Sequence, residues 1–145
     1  MIDTQGGYAS QDWSKWSHWN VTRYWSTNEQ YDDPVFGKVF KGVTGTDSVG
    51  TYLYDYYPYT FISGTTYTMS IWLRCDTPWT GDVRFYVNRS SNNGILPSGE
   101  QIKTITIDTN WRYYTWTVTP SETQIGTGGF GLKFQEIPGG YTLYA

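Results

Sequence analysis

The chain has 145 residues, enough to bury a core in one domain, and 19% of them are aromatic against 16% charged, the opposite of a disordered composition. Its formal net charge of −3 does not supply the clustered positive surface that a nucleic-acid backbone requires, and no apolar run reaches the length of a membrane span. Neither nucleic acid nor membrane is therefore expected as a partner, and Cys75, the single cysteine, rules out an intrachain disulfide framework.

In chain order, the first thirty residues stand apart. Trp13, Trp16, Trp19 and Trp25 are interleaved with Ser, Asn, Lys and Gln, with little strand character. Residues 1–30 are expected to cover one end of the domain or to contact a partner. The Met1–Ile2–Asp3 start carries no signal-peptide hydrophobic segment, so the chain is expected to be made in a cytoplasm or excised from a larger protein. GKVFKGV around Val39 predicts the first strand and SVGTYLYDYY around Leu53 the second. In the second, alternation separates Tyr52, Tyr54 and Tyr56 from Thr51, Leu53, Asp55 and Tyr57, and either set could be the core set. If Leu53 points inward, the tyrosines form an outward ladder. Pro58 is expected to end this strand.

TYTMSIWLRCD is the clearest alternation: Tyr67, Met69, Ile71, Leu73 and Cys75 are core candidates, with Ser70, Trp72 and Arg74 outward. DVRFYVN sends Val83, Phe85 and Val87 in and Arg84, Tyr86 and Asn88 out, and IKTITID follows from Ile102. WRYYTWTVT offers Tyr114, Trp116 and Val118 to the core and Tyr113, Thr115 and Thr117 to the outside. GGFGLKFQE turns Phe130, Leu132 and Phe134 in and Lys133 and Gln135 out, and YTLYA is a short last strand. Gly-, Asn- and Pro-bearing turns separate these runs. About eight antiparallel strands in two sheets predict one all-β domain over 1–145, a β-sandwich or barrel.

Catalytic chemistry has little to stand on. His18 is the only histidine, so a zinc site of the usual kind cannot be assembled. Cys75 alternates with core residues and reads as an inert buried thiol. The acids are scattered, without a marked facing pair such as a glycosidase needs; Asp55 and Glu136 are one pair that folding could bring together. GTGGFG lacks the Lys and the helix of a phosphate loop, and NRS at Asn88 is a sequon without a secretion signal. Asp32 and Asp33 are oxygen donors of the kind a structural Ca²⁺ takes, although a solvated turn ahead of Pro34 is the preferred reading. No enzyme activity and no cofactor are expected.

The outward residues Trp72, Arg74, Arg84, Tyr86, Tyr113 and Gln135 combine large rings with a few directed donors, the makeup of a ligand site. A sugar ring, with one apolar C–H face and a rim of hydroxyls, suits such a surface. Tyr54 joins this set if Leu53 faces the core. The same rings would also serve as packing under a loop, under the N-terminal segment or against another subunit.

FISGTTYTMSIWLRCD, through Gly64, Tyr67, Ser70, Trp72 and Arg74, resembles the "pG-x-x-Y-x-x-S-x-W/Y-v-k" strand of jelly-roll carbohydrate-binding modules. WRYYTWTVTPSET, through Trp111, Arg112, Tyr114, Thr115 and Thr117, resembles their later "W-x-r-Y-T-x-T-x-T" strand. The pattern is shared by secreted polysaccharidase modules and by domains of phage tail fibres and other virion proteins. The resemblance implies a jelly-roll sandwich whose glycan-binding members use aromatic and polar residues of a concave sheet, carried here by Trp72, Arg74, Arg84, Tyr86 and Gln135. Secreted members often close on a "y-x-D-D" strand that helps to hold calcium. YTLYA has no acid there and is closer to the virion-associated "Y-x-x-Y/W". The expectation is a non-catalytic virion surface or fibre domain that adheres to glycan and contacts other virion subunits or itself. The alternatives are a targeting module secreted within a polysaccharide-degrading enzyme, and a purely structural oligomer.

Overall fold

Alternating side chains dictate strands, and the computed structural model, which describes residues 25–46, 51–87 and 102–145, contains nine: β1 (Trp25–Asp33), β2 (Gly37–Thr44), β3 (Thr51–Phe61), β4 (Tyr67–Cys75), β5 (Trp79–Val87), β6 (Ile102–Ile107), β7 (Arg112–Val118), β8 (Gln124–Phe134) and β9 (Thr142–Tyr144). Their pairing is a nested hairpin. β5 pairs with β6, β4 with β7, β3 with β8 and β2 with β9, all antiparallel. This long ladder folds over into two sheets, ordered β1-β2-β9-β4-β7 and β3-β8-β5-β6. The result is a jelly-roll β-sandwich, as the sequence predicts.

The core lies between the inner faces. Met69, Leu73 and Cys75 of β4 and Trp116 and Val118 of β7 meet Leu53, Val83, Phe85, Leu132 and Phe134 from the opposite sheet, all buried. They belong to the core sets that alternation predicts for β4, β5, β7 and β8, of which Tyr67, Ile71 and Tyr114 are only partly buried and the side chains of Val87 and Phe130 lie outside the described residues. Leu53 and Thr51, both nearly inaccessible, settle the register of β3: Leu53 belongs to the core. Trp79 packs edge-on to Phe134 with ring centroids 6.2 Å apart. Its ring also covers Gly81, where a Cβ atom would come within 2.3 Å of an indole carbon. Between β6 and β7, which belong to different sheets, the Tyr114 hydroxyl donates to the Thr106 carbonyl and the Lys103 ammonium donates to the Thr115 carbonyl.

Two strands depart from expectation. Residues 25–33, assigned mostly to an N-terminal covering segment, form β1. Among the described residues it pairs only with β2, at the edge of its sheet, so its composition need not alternate as a half-buried central strand's does. β3 continues through Pro58 to Phe61, with its register to β8 shifting between Asp55 and Tyr59. Among the described residues β3 is also an edge strand, where a missing N–H and a register irregularity are tolerated. His18 and Asn88 lie outside the described residues.

Candidate functional site

On the outer face of the five-stranded sheet, Trp72 of β4 stands directly opposite Tyr113 of β7. Cross-strand aromatic pairs of this kind stabilise the sheet as well as shaping its surface. Their ring centroids are 5.2 Å apart, and the residues remain 43% and 55% exposed. Phe36, from the β1–β2 hairpin tip, extends the strip: its ring lies 5.3 Å from Trp72 and 5.0 Å from Trp111, and it is 40% exposed. The hairpin tip is short because Gly37, at φ 74°, takes the left-handed conformation that closes it. Further along the same two strands the surface turns from rings to hydroxyls. Ser70 faces Thr115, Thr68 faces Thr117 at 3.4 Å between hydroxyls, and Thr66 meets Thr119 at 3.1 Å. From Trp72 to Thr66 this strip runs about 20 Å at the usual strand rise.

Behind the rings sits a charged node. The Arg74 guanidinium lies 3.6 Å from the Tyr144 ring centroid and 5.4 Å from that of Trp111. It also makes ion pairs at 3.5 Å with Asp33 and 3.6 Å with Asp76. Asp33 Oδ1 accepts the backbone N–H groups of Val35, at 2.8 Å, and Phe36, at 3.2 Å. Asp33 Oδ2 accepts the Trp111 indole N–H at 3.2 Å. Burial pushes the Asp33 carboxyl up, but the hydrogen bonds from Val35, Phe36 and Trp111, with the Arg74 charge, outweigh burial and hold it below the ordinary aspartate value. Burial, with the neighbouring Asp76 charge, pushes the Tyr144 phenol up, so it stays neutral and donates to Asp76.

This geometry reassigns several predicted residues. Arg74 is enclosed by rings and carboxylates, so it serves as a support and not as a free donor for ligand hydroxyls. Asp32 and Asp33 do not form an oxygen cage: Asp32 pairs with Lys38, and the Asp33 oxygens are taken by donors from the protein itself. Arg84, Tyr86, Tyr54 and Gln135 belong to the other sheet or its margin. Arg84 lies between Lys133 and Ile102 in register, half-buried, with its Nε shielded and without a hydrogen-bond partner among the described residues. Gln135 follows β8, donates its backbone N–H to Asp82 at 2.8 Å, and lines with Trp79, Thr80, Gly81, Asp82 and Glu136 a groove of about 300 Å³. Tyr54 and Tyr86 both pair in register with Gly131; their side chains lie outside the described residues, as does that of Asp55. The outer faces of a sandwich point in opposite directions, so Trp72, Arg74 and Tyr113 do not share a surface with Arg84, and the strands that carry Tyr54 and Tyr86 belong to the opposite sheet. Phe36 escapes sequence reasoning, and Asp33, read there as part of a solvated turn, is buried instead, because DDPVFG carries no alternation and gains its meaning only when the hairpin tip lands beside β4. Trp111 stands out in sequence only as part of the resemblance.

No protein-family model matches the sequence, and no curated protein matches it. Solved structures do match. A CBM4 structure has a TM-score of 0.60 at 16% identity, over 88% of this chain and 77% of that one. The N-terminal cellulose-binding domain of Cellulomonas fimi β-1,4-glucanase C has a TM-score of 0.52 at 16% identity, over 73% and 72%. An arabinose-bound GH51 α-L-arabinofuranosidase gives 0.65 at 12% identity over 82% of this chain, which spans only 21% of that enzyme. At such identities the likeness is one of fold, and the fold is that of carbohydrate-binding modules.

Proposed function

We propose that the chain is a non-catalytic glycan-binding domain whose ligand stacks on the Phe36–Trp72–Tyr113 strip. The observation that carries this reading is the exposed cross-strand pair Trp72 and Tyr113. Large rings left half-wet on a sheet face are costly unless something covers them. The adjoining Ser and Thr hydroxyls give a sugar chain lying along β4 and β7 partners for its own. In this reading Trp72 and Tyr113 take the apolar ring faces, and Ser70, Thr115 and Thr117 orient the hydroxyls.

The proposed setting is a virion surface or tail fibre of a phage, supported by the resemblance of the closing YTLYA strand to virion-associated domains. A second setting is a targeting module within a polysaccharide-degrading enzyme. It is favoured by the match to a small part of an arabinofuranosidase chain and by the match to a glucanase's cellulose-binding domain.

A glycan array probed with wild type and Trp72→Ala tests the function. Loss of the ring should lower affinity for any bound glycan by about tenfold or more, the effect of removing a central aromatic contact. Undiminished binding by a folded Trp72→Ala protein would overturn the assignment of this strip. A symmetric oligomer in solution that buries Trp72 and Tyr113, with no glycan bound, would make the rings a subunit contact instead.

A further inference from the structure

The aromatic strip is assembled from three separate parts of the chain: the β1–β2 hairpin tip, β4 and the start of β7. Neighbouring rings in contact do not by themselves fix a tip that carries Val35, 70% exposed, and Phe36. One side chain reaches all three parts. Asp33 Oδ1 ties down the tip through the Val35 and Phe36 amides, whereas Oδ2 holds the Trp111 indole ahead of β7 and faces Arg74 of β4. Phe36 bears on Trp111 and Trp72 together, so any movement of Asp33 is transmitted to the rings on both sides.

We propose that Asp33 is the positioning residue of this site: its carboxylate sets the spacing and tilt of Phe36 and Trp111 against Trp72, and so organises the strip before ligand arrives. Preorganisation acts on affinity by removing ordering costs from the binding step, so Asp33 affects binding without touching the ligand. This proposal rests on the glycan reading of the strip.

The test is calorimetric titration of the full chain with cellohexaose, xylohexaose and mannohexaose, under conditions where each variant is folded by its thermal melt. Asp33→Ala should weaken binding by about tenfold. Asp33→Asn keeps an acceptor for the two amides and loses the charge facing Arg74, so it should recover part of the affinity. Thr44→Val is the comparison for general destabilisation. The buried Thr44 hydroxyl donates to Pro138 and accepts from Tyr141, in the same sheet but without contact to Asp33; this variant should melt lower and bind as wild type.

In the tryptophan indole N–H region of a ¹H–¹⁵N spectrum, the Trp111 signal should shift in both Asp33 variants and stay put in Thr44→Val. If both Asp33 variants bind like wild type while Trp72→Ala does not, Asp33 positions nothing and the strip stands. Binding weakened equally by Thr44→Val makes the effect general destabilisation and also overturns the proposal. Wild-type binding by Trp72→Ala, or no binding of any hexaose by wild type, removes the glycan reading and the role of Asp33 with it.

Discussion

Arg74 and Tyr144 stand opposite each other across β4 and β9, and the guanidinium lies flat enough on the phenol ring to bring its central carbon 3.6 Å from the centroid. The contact joins β9 to the node that supports the aromatic strip. Arg74→Ala removes the cation and leaves the Asp33 carboxylate buried with hydrogen-bond donors but no counter-charge. A loss of about 3–5 kcal/mol in unfolding free energy is expected from urea titration. Arg74→Lys should recover only part of this, because a compact ammonium cannot stack on Tyr144 while reaching both Asp33 and Asp76.

Acid should weaken the fold through Asp33. Its carboxyl is held below the ordinary aspartate value of 3.8 in the folded chain, so the folded state binds the proton less readily than the unfolded one. The stabilisation is complete above 3.8 and fades as pH falls below it, through the lowered folded value. Asp108, lowered by Arg112 and by the Asn110 backbone N–H, is more exposed and contributes in the same direction. Urea unfolding of wild type and Asp33→Asn from about pH 6 to about pH 2 should show the two stabilities converging toward the acid end; a gap independent of pH would contradict this.

Gly81→Ala should destabilise by about 1–3 kcal/mol, as overpacking of a filled core does. The new methyl would collide with the buried Trp79 ring, itself fixed against Phe134. Gly81→Ala in a Trp79→Leu background should cost much less, a coupling that a double-mutant cycle by urea unfolding would measure.

Trp116 is buried, and its indole N–H has no partner among the described residues. Trp116→Phe therefore exchanges lost volume for removal of an unsatisfied donor and should fall within about 1 kcal/mol of wild type. Trp116→Ala removes the same donor but opens a far larger cavity and should cost about 3–5 kcal/mol. A thermal-melt series resolves the two.

Strand identity and core register were legible where alternation is strict. Met69, Leu73 and Cys75 of β4 and Trp116 and Val118 of β7 are buried as their spacing requires. Sheet membership was not legible, because it depends on pairings distant in sequence. Outward alternation puts Arg84 and Trp72 in one class of residue, yet β5 pairs with β6 and β8 while β4 pairs with β7 and β9. Arg74 illustrates the other gap. Its outward register is correct, but an outward residue is not a free one when Tyr144, Trp111 and two acids close around it. β1 was obscured because a polar edge strand needs no repeating apolar stripe.

The short strand β9 has a consequence for the order of events during synthesis. It lies between β2 and β4 in the five-stranded sheet, and Ala145 exchanges backbone hydrogen bonds with Phe40 at 2.9 and 3.1 Å. Until residues 142–145 have emerged from the ribosome, β1–β2 and β4 have no strand to join them, although Phe36 and Trp72 have long been outside. Assembly of the sheet therefore comes after translation of β9, and until then the nascent chain presents unpaired strand edges and aromatic surface to its surroundings, a period in which a chaperone or a neighbouring nascent chain would find its readiest foothold.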